Sequence, residues 1–273
     1  MTNPTGTNER ERLGLRYEIA FPEADAKADQ DSECCDVRID GEVHRIRFHD
    51  YNEIYSVPGL YEQLFYDELK CQSPTVLTEL LTDTMAETGV DPGMIDALDI
   101  GAGNGMVAEE LVKRGIRSVV GVDIIEEAAE AAERDRPDVY DDYHVADLTD
   151  LPADVETAMV ERQFGCMTTC AALGFGDIPP LAFAVALNLL ADDAWVAFTI
   201  KDRFLDGSEE EESGFSTLVN RLCDTGRLEV LAKKKYRHRM AVDGSELNYI
   251  AVIARKRQDA PLEWAGARRR FAR

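Results

Sequence analysis

The stretch "ALDIGAGNGMVAEEL" (residues 97–111) joins an apolar run to a helix-like pattern through three glycines in five positions. Such a strand-to-helix turn lets a ligand approach the backbone closely. In a dinucleotide-binding turn the spacing is G-x-G-x-x-G. Here Gly101 and Gly103 fit the first two positions, but the third falls on Met106. The pattern is instead D-x-G-x-G-x-G, from Asp99 through Gly101 and Gly103 to Gly105. An acid inside the turn is awkward beside a pyrophosphate. It favours a ligand that carries an ammonium or sulfonium, although a bare helix N-terminus prefers anions.

Two more acids close the next two expected strands. Asp123 ends "VVGVDI" and Asp147 lies in "VADLTD". A carboxylate after the second strand can accept two hydrogen bonds from a ribose diol. One after the third can accept from an exocyclic amine, with Leu148 against a purine face. Each acid alone reads as a solvated carboxylate on an acidic protein. Three at successive strand ends describe a ligand with a cationic amino-acid end, a ribose and an adenine, and no phosphate.

Outward from the turn the period alternates. "SPTVLTELLTDTMAETG" reads as a helix opened by Ser73-Pro74 and stopped by Gly89. Then strands ("MIDALDI", "SVVGVDI", "YHVADLTDL") alternate with helices ("MVAEELVKRG", "EEAAEAAERD"). They are followed by the strand "FGCMTTC", a helix at 181–190, the strand "AWVAFTIK" and the helix "FSTLVNRLCDTG". That order predicts an α/β fold with a mostly parallel sheet covered on both faces. Two β-rich runs around Asp243-Gly244 predict an antiparallel hairpin at the sheet edge. Towards the N-terminus, Val37, Ile39, Val43, Ile46 and Phe48 alternate around Asp40-Gly41, a second hairpin. Residues 50–74 concentrate Tyr51, Tyr55, Tyr61 and Tyr66 in two short helical pieces split by Pro58-Gly59. These rings either pack the segment onto the main domain or form a lid over a ligand.

The chain therefore divides into an acidic extension over 1–36, mobile or loosely docked, and a hairpin with a tyrosine-rich cap segment over 37–72. The main domain covers 73–257 and a basic tail 258–273. With 273 residues and 45% hydrophobic content it can bury a sizeable core. No apolar stretch suits a secretory leader or a bilayer span, so a cytoplasmic protein without membrane contact is expected. Cysteines 34, 35, 71, 166, 170 and 223 form no CxxC pair and no metal pattern. They read as reduced thiols. The net charge of −23 disfavours nucleic acid as a partner. Few lysines among many acids also resemble proteins of salt-adapted organisms.

The motifs "ALDIGAGNG", "VVGVDI" and "VADLTD" together resemble class I S-adenosylmethionine-dependent methyltransferases over residues 73 to 257. The resemblance implies a Rossmann-like, seven-stranded sheet with a reversed last strand, and S-adenosylmethionine as cofactor. It also implies that Asp99, Gly101 and Gly103 line the methionine part, Asp123 the ribose, and Asp147 with Leu148 the adenine. Ala102, Asn104, Gly105 and Ile124 complete the expected cofactor-binding set. A shorter stretch, "TCAALGFGDIPPLAFAVALNLLADDAWVAFTIKDRF", is similar to the Williams–Beuren-region small methyltransferases, with Asp177 in place of the usual histidine of its turn. The alternatives are a nicotinamide-dependent dehydrogenase, against which Met106 argues, and a non-catalytic cofactor-binding protein on the same fold.

Methyl transfer from a sulfonium is an in-line displacement, so positioning matters most and a base is needed only for a protonated nucleophile. The (D/N)PP(Y/F) signature and the Pro-Cys dipeptide are missing, and Cys170 reads as a buried small residue. His44, His144 and His238 show no carboxylate partner by spacing. The expected acceptor is a small molecule. Tyr51 and Tyr55 are the substrate-side candidates, followed by Lys201 and Asp202 at a strand end and the acidic loop 202–215.

Overall fold

Ala97 and Leu98 explain why the central strand is apolar on both sides: each belongs to a different hydrophobic core. The computed structural model describes residues 16–22, 32–173, 177–202 and 214–266. In chain order the main domain holds α2 (Ser73–Glu87), β4 (Asp96–Ile100), α3 (Met106–Lys113), β5 (Ser118–Asp123), α4 (Glu126–Asp135) and β6 (Asp142–Val145). It continues with α5 (Ala153–Arg162), β7 (Phe164–Thr169), α6 (Pro180–Asn188), β8 (Leu190–Lys201), α7 (Phe215–Asp224), β9 (Leu228–Met240) and β10 (Glu246–Lys256). The seven strands lie in the order β6-β5-β4-β7-β8-β10-β9. All neighbours up to β8 pair in parallel, and β10 runs antiparallel to both β8 and β9. The sheet is thus Rossmann-like with the expected terminal hairpin.

One face of the sheet buries Leu98, Ile100, Met167 and Phe198 against Met159 of α5, Phe183 of α6 and Phe215 of α7. The other buries Ala97, Val119 and Trp195 against Leu77 and Leu81 of α2 and Leu111 of α3. Helix α5 carries no signal in the sequence reading. Only Met159 of its ten residues is buried, so its apolar stripe is almost absent.

N-terminal to this domain, β1 (Glu18–Ala20), β2 (Cys34–Ile39) and β3 (Glu42–Arg47) form a three-stranded antiparallel sheet. Asp40 and Gly41 both take positive φ at the β2–β3 turn, as a tight hairpin requires. Strand β1 lies within the expected extension 1–36 and is docked on β2. Its three residues are too short for periodicity, and they gain order from β2 and from Tyr17, whose backbone exchanges two hydrogen bonds with the Gln63 side chain. Helix α1 (Tyr51–Ser56) and a π-helical segment, Glu62–Glu68, follow, split at Pro58-Gly59 as expected. Ile54, Leu60, Leu64 and Phe65 pack with Val37, Ile46 and Phe48, so sheet and helices form one cap with its own core.

The cap docks on small residues. Ala128 and Ala131 of α4 let Tyr55 approach, and Arg134 donates to the Tyr55 carbonyl at 3.0 Å. At the far end of the chain, Asn188 exchanges hydrogen bonds with Ala260, and the Trp264 ring lies 3.9 Å from the Arg221 guanidinium carbon. The tail thus begins docked on the core. Among the described residues, no helix is long and apolar enough to cross a membrane.

Candidate functional site

Strand β4 ends in the glycine turn, and the chain then steps outward to β5 and β6 before returning to β7 on the other side. Such a switch point leaves a crevice above the strand C-termini. A cavity of about 360 Å³ opens there, and the cap roofs it. Its floor includes Gly101–Asn104, Asp123, Ile124, Asp147 and Leu148, and its roof includes Tyr51 and Tyr55.

Gly101 and Gly103 have positive φ, and both are needed for space as well as conformation. A Cβ on Gly103 would sit 2.5 Å from the Tyr55 hydroxyl, and one on Gly101 would sit 2.9 Å from Ile178 Cδ1. Real Cβ contacts are not that short, so the turn is a cradle that any side chain would fill. Its carbonyls are held from behind: Tyr143 donates to the Gly103 carbonyl at 2.9 Å and Tyr140 to that of Ala102 at 3.1 Å. Neither tyrosine was singled out by the sequence. Their signal is indirect, since Gly121 on β5 leaves the room that both rings occupy.

Asp123 lines the cavity at the end of β5. Gly103 N donates to its Oδ2 at 2.9 Å and Ile125 N to its Oδ1 at 3.0 Å. Burial raises its pKa, and these backbone donors oppose the rise. Asp147 caps the short turn Leu148–Asp150, accepting from Thr149 N and Oγ1. Leu148 is buried between the core and the cavity.

Asp99, expected to face the ligand, lies behind the turn. It does not line the cavity, and its oxygens accept from Thr168 Oγ1 at 2.6 Å and Tyr140 OH at 2.9 Å. Desolvation pushes its pKa up to about 7, against those two hydrogen bonds. Gly105 is likewise outside the lining, serving as the left-handed N-cap of α3. Lys201 and Asp202 also lie away from the cavity: Lys201 is buried, and Asp202 pairs with Lys235 at 2.7 Å. The end of β8 is claimed by the neighbouring hairpin, where Lys201 faces Tyr249 in register. Of the acidic loop 202–215, residues 203–213 lie outside the described residues.

The roof is aromatic. Tyr51 stacks on Tyr55 at 6.1 Å between centroids, Tyr55 on Tyr61 at 5.1 Å, and Tyr61 meets Phe65 at 4.8 Å. Burial raises the pKa of Tyr51, Tyr55, Tyr61 and Tyr66, so all four hydroxyls stay protonated at neutral pH. The rings both pack the cap and line the cavity. At the inner end, His238 stacks on Tyr249 at 4.2 Å and its Nδ1 lies 2.6 Å from Ser73 Oγ. Burial lowers its pKa well below the usual range, which leaves it neutral. Arg239 beside it pairs with Glu33 at 2.5 Å. Burial drives the Cys170 thiol well above its ordinary value, so it is no thiolate.

The sequence reading passed over His49. It follows β3, lines the cavity, and its Nδ1 lies 3.4 Å from Asp177 Oδ2. Asp177 belongs to the turn before α6. No local spacing could have paired the two residues.

The cap is latched through charge. Arg136 Nη1 donates to Glu62 Oε1 at 2.7 Å and to the Asn104 carbonyl at 3.0 Å, and its Nε to Glu109 at 3.0 Å. Asn104 Nδ2 donates to the same Glu62 oxygen at 2.7 Å. Among the described residues, no three His, Cys, Asp or Glu side chains gather to hold a metal.

A family model described as "Methyltransferase domain" matches residues 98–198. No curated protein sequence matches the chain. Among solved structures, an S-adenosylmethionine-dependent methyltransferase from Clostridium acetobutylicum shares 14% identity, with 76% of this chain and 99% of that one covered at a TM-score of 0.52. N-methyltransferase NodS from Bradyrhizobium japonicum shares 14%, covering 67% and 96% at 0.47. A ribosomal protein L11 methylase from Lactobacillus delbrueckii shares 18%, covering 67% and 79% at 0.45. The chain thus carries a methyltransferase domain that begins at the glycine turn, on a Rossmann-like sheet of the kind found in solved S-adenosylmethionine-dependent methyltransferases, and the cofactor that this domain indicates is S-adenosylmethionine.

Proposed function

We propose that the protein methylates a small molecule enclosed beneath the cap. The observation that carries this reading is the roof: Tyr51, Tyr55, Tyr61 and Phe65 close the acceptor end of the cavity into an aromatic chamber. A chamber of that kind suits a compact acceptor that can be surrounded, and the charge of −23 repels phosphate backbones. When bound, S-adenosylmethionine supplies an electrophilic methyl group on a sulfonium. The cradle fits that cofactor, since Gly101 and Gly103 leave open backbone where a Cβ would intrude. In this reading Gly101–Asn104 carry the methionine part and Asp123 accepts from the ribose diol. Asp147 and Leu148 hold the adenine edge and face, and Ile124, exposed beside Asp123, covers the ring. Asp99 and Gly105 act from behind, as supports of the turn. The cap excludes water from the transfer.

Calorimetry with S-adenosylhomocysteine tests the cofactor part. Binding in the micromolar range is expected, and Asp123→Ala should weaken it at least about 100-fold, since two hydrogen bonds to a charged group are worth about 3 kcal/mol or more together. Unchanged affinity would remove Asp123 from the site. Methyl-labelled cofactor incubated with a cell extract tests the acceptor. Label should appear in the small-molecule filtrate; label confined to retained protein or RNA would overturn the small-molecule reading.

A further inference from the structure

The inner wall of the cavity holds a chain of hydroxyls that ends on His238. Strand order sets this wall opposite the donor turn. The glycine turn, Asp123 and Asp147 follow β4, β5 and β6, whereas His238 and Tyr249 lie on β9 and β10, at the other end of the sheet. All of them line one cavity, and so does Ser73 at the start of α2. With the cofactor over β4 to β6, the acceptor lies against the His238 wall.

The His238 ring is held from several sides. It stacks on Tyr249, and its Nδ1 lies 2.6 Å from Ser73 Oγ and 3.8 Å from Cys71 Sγ. Its carbonyl accepts from Gln72 N at 2.9 Å. Ser73 Oγ also lies 2.6 Å from Tyr236 OH. Beyond Tyr236 stands the Thr199 hydroxyl, whose oxygen already accepts from Ala171 N at 2.7 Å. Ser73, Thr199 and Tyr236 are buried, so each hydroxyl hydrogen needs an acceptor. The direction that supplies one runs from Thr199 to Tyr236, from Tyr236 to Ser73, and from Ser73 to His238 Nδ1. The reverse direction would turn the Thr199 hydrogen onto the Cys170 sulfur, a far weaker acceptor. Nδ1 is therefore the bare nitrogen, and Nε2 carries the proton.

Among the described residues, no group bonds to Nε2. Nor is it sealed in the interior, as Glu62 Oε2 and Thr169 Oγ1 are. His238 is 6% exposed and lines the cavity, so this N–H is a fixed donor at the acceptor's wall.

We propose that His238 anchors the methyl acceptor, its Nε2–H donating to a carbonyl or carboxylate oxygen of the substrate. This rests on the small-molecule reading above and names the group by which the substrate is held. A directed donor among rings discriminates strongly, because a ligand without a matching lone pair leaves it unpaired on binding. An ammonium brings only donors to it and is rejected. Burial keeps the imidazole neutral, so His238 positions the acceptor and takes no proton from it.

The test uses the full chain saturated with S-adenosylhomocysteine and labelled with nitrogen-15 at its four histidines. His238→Phe identifies the signal by its loss. The wild type should show a protonated Nε2 and a bare Nδ1 at neutral pH, and Ser73→Ala should lose that preference. A proton on Nδ1 in the wild type would overturn the donor role. Benzoate, benzamide and benzylamine then probe the wall, as flat bodies that suit its rings. Benzoate or benzamide should shift the Nε2–H signal, and the stronger of the two tells whether a carboxylate or a carbonyl is held. Benzylamine should leave the signal in place. His238→Phe keeps a ring against Tyr249 and should bind the stronger probe about 3- to 10-fold more weakly. Its affinity for S-adenosylhomocysteine should stay within about twofold of wild type. If His238→Phe loses that binding, Ser73→Ala assigns the signal and the wild-type shifts decide. No shift with either oxygen probe, a shift with benzylamine alone, or equal affinity in a folded His238→Phe would overturn the anchor. Failure of the wild type to bind S-adenosylhomocysteine would instead overturn the underlying site assignment. Label confined to protein or RNA in the extract assay would overturn the small-molecule reading, and neither result bears on the tautomer.

Discussion

At Asp99 the chain buries a carboxylate under the glycine turn and gives it two hydroxyl donors, Thr168 and Tyr140. Burial outweighs the donors, so the folded pKa of about 7 stands above the ordinary 3.8. Between those values the folded state holds a proton that the unfolded chain has lost. Stability therefore falls as pH rises from about 4 to about 7, and is flat in this respect outside that window. Asp99→Asn removes the titration, so urea midpoints measured across this range should fall less steeply than in the wild type; parallel curves would show that Asp99 titrates normally. The residue was legible in the sequence as an acid in a glycine turn, but not its direction. The ligand-facing side of a strand end and its buried side differ by one position in the pleat, and no spacing rule separates them. The strand-end rule leads to Asp123 and Asp147, which line the cavity, and equally to Lys201 and Asp202, which lie away from it. That rule holds where the sheet switches direction and lapses where a hairpin covers the strand end. His49 was illegible for a different reason, because its partner lies on a turn far along the chain.

Helices and strands with strong periodicity were readable throughout: α2, α3 and α4, the parallel strands, and the terminal hairpin. The elements that escaped are those held by partners rather than by pattern, namely β1 and α5. The π-helical segment Glu62–Glu68 belongs to the same class, as its position depends on a buried ion pair. Arg136 and Glu62, with side chains 7% and 8% exposed, connect the cap to α3 and the glycine turn. Removing one partner strands the other charge, so Arg136→Ala should cost about 3–5 kcal/mol in urea unfolding. Replacing the pair together, as Glu62→Leu with Arg136→Met, should recover most of that loss if the network is structural. A double variant as unstable as Arg136→Ala would mean that the remaining partners, Asn104 and Glu109, carry the latch.

Across the whole molecule, 53 acidic residues face 30 basic ones. Self-repulsion of that size opposes the compact state and is screened by salt within a few ångströms at molar concentration. The melting temperature should rise by more than about 5 °C between dilute buffer and molar KCl, equivalent to roughly 2 kcal/mol for a chain of this size. Indifference to KCl would mean that surface ion pairs such as Arg117–Asp96, at 2.5 Å, already neutralise the field locally. One seam of the molecule bears on how it is made. The cap comes first in the chain, yet its edge is sewn to the end of β9: Glu33 pairs with Arg239 and accepts from Val242 N, Met240 N donates to the Leu69 carbonyl, and Gln72 N to that of His238. A ribosome delivering this chain therefore exposes the aromatic roof early, supplies its first fastening with Arg134 and Arg136, and supplies the second only with the end of β9. Until residues 238–242 emerge, the glycine turn and the Arg136 latch can form, but the inner wall of the cavity, where His238 and Arg239 lie, is still missing.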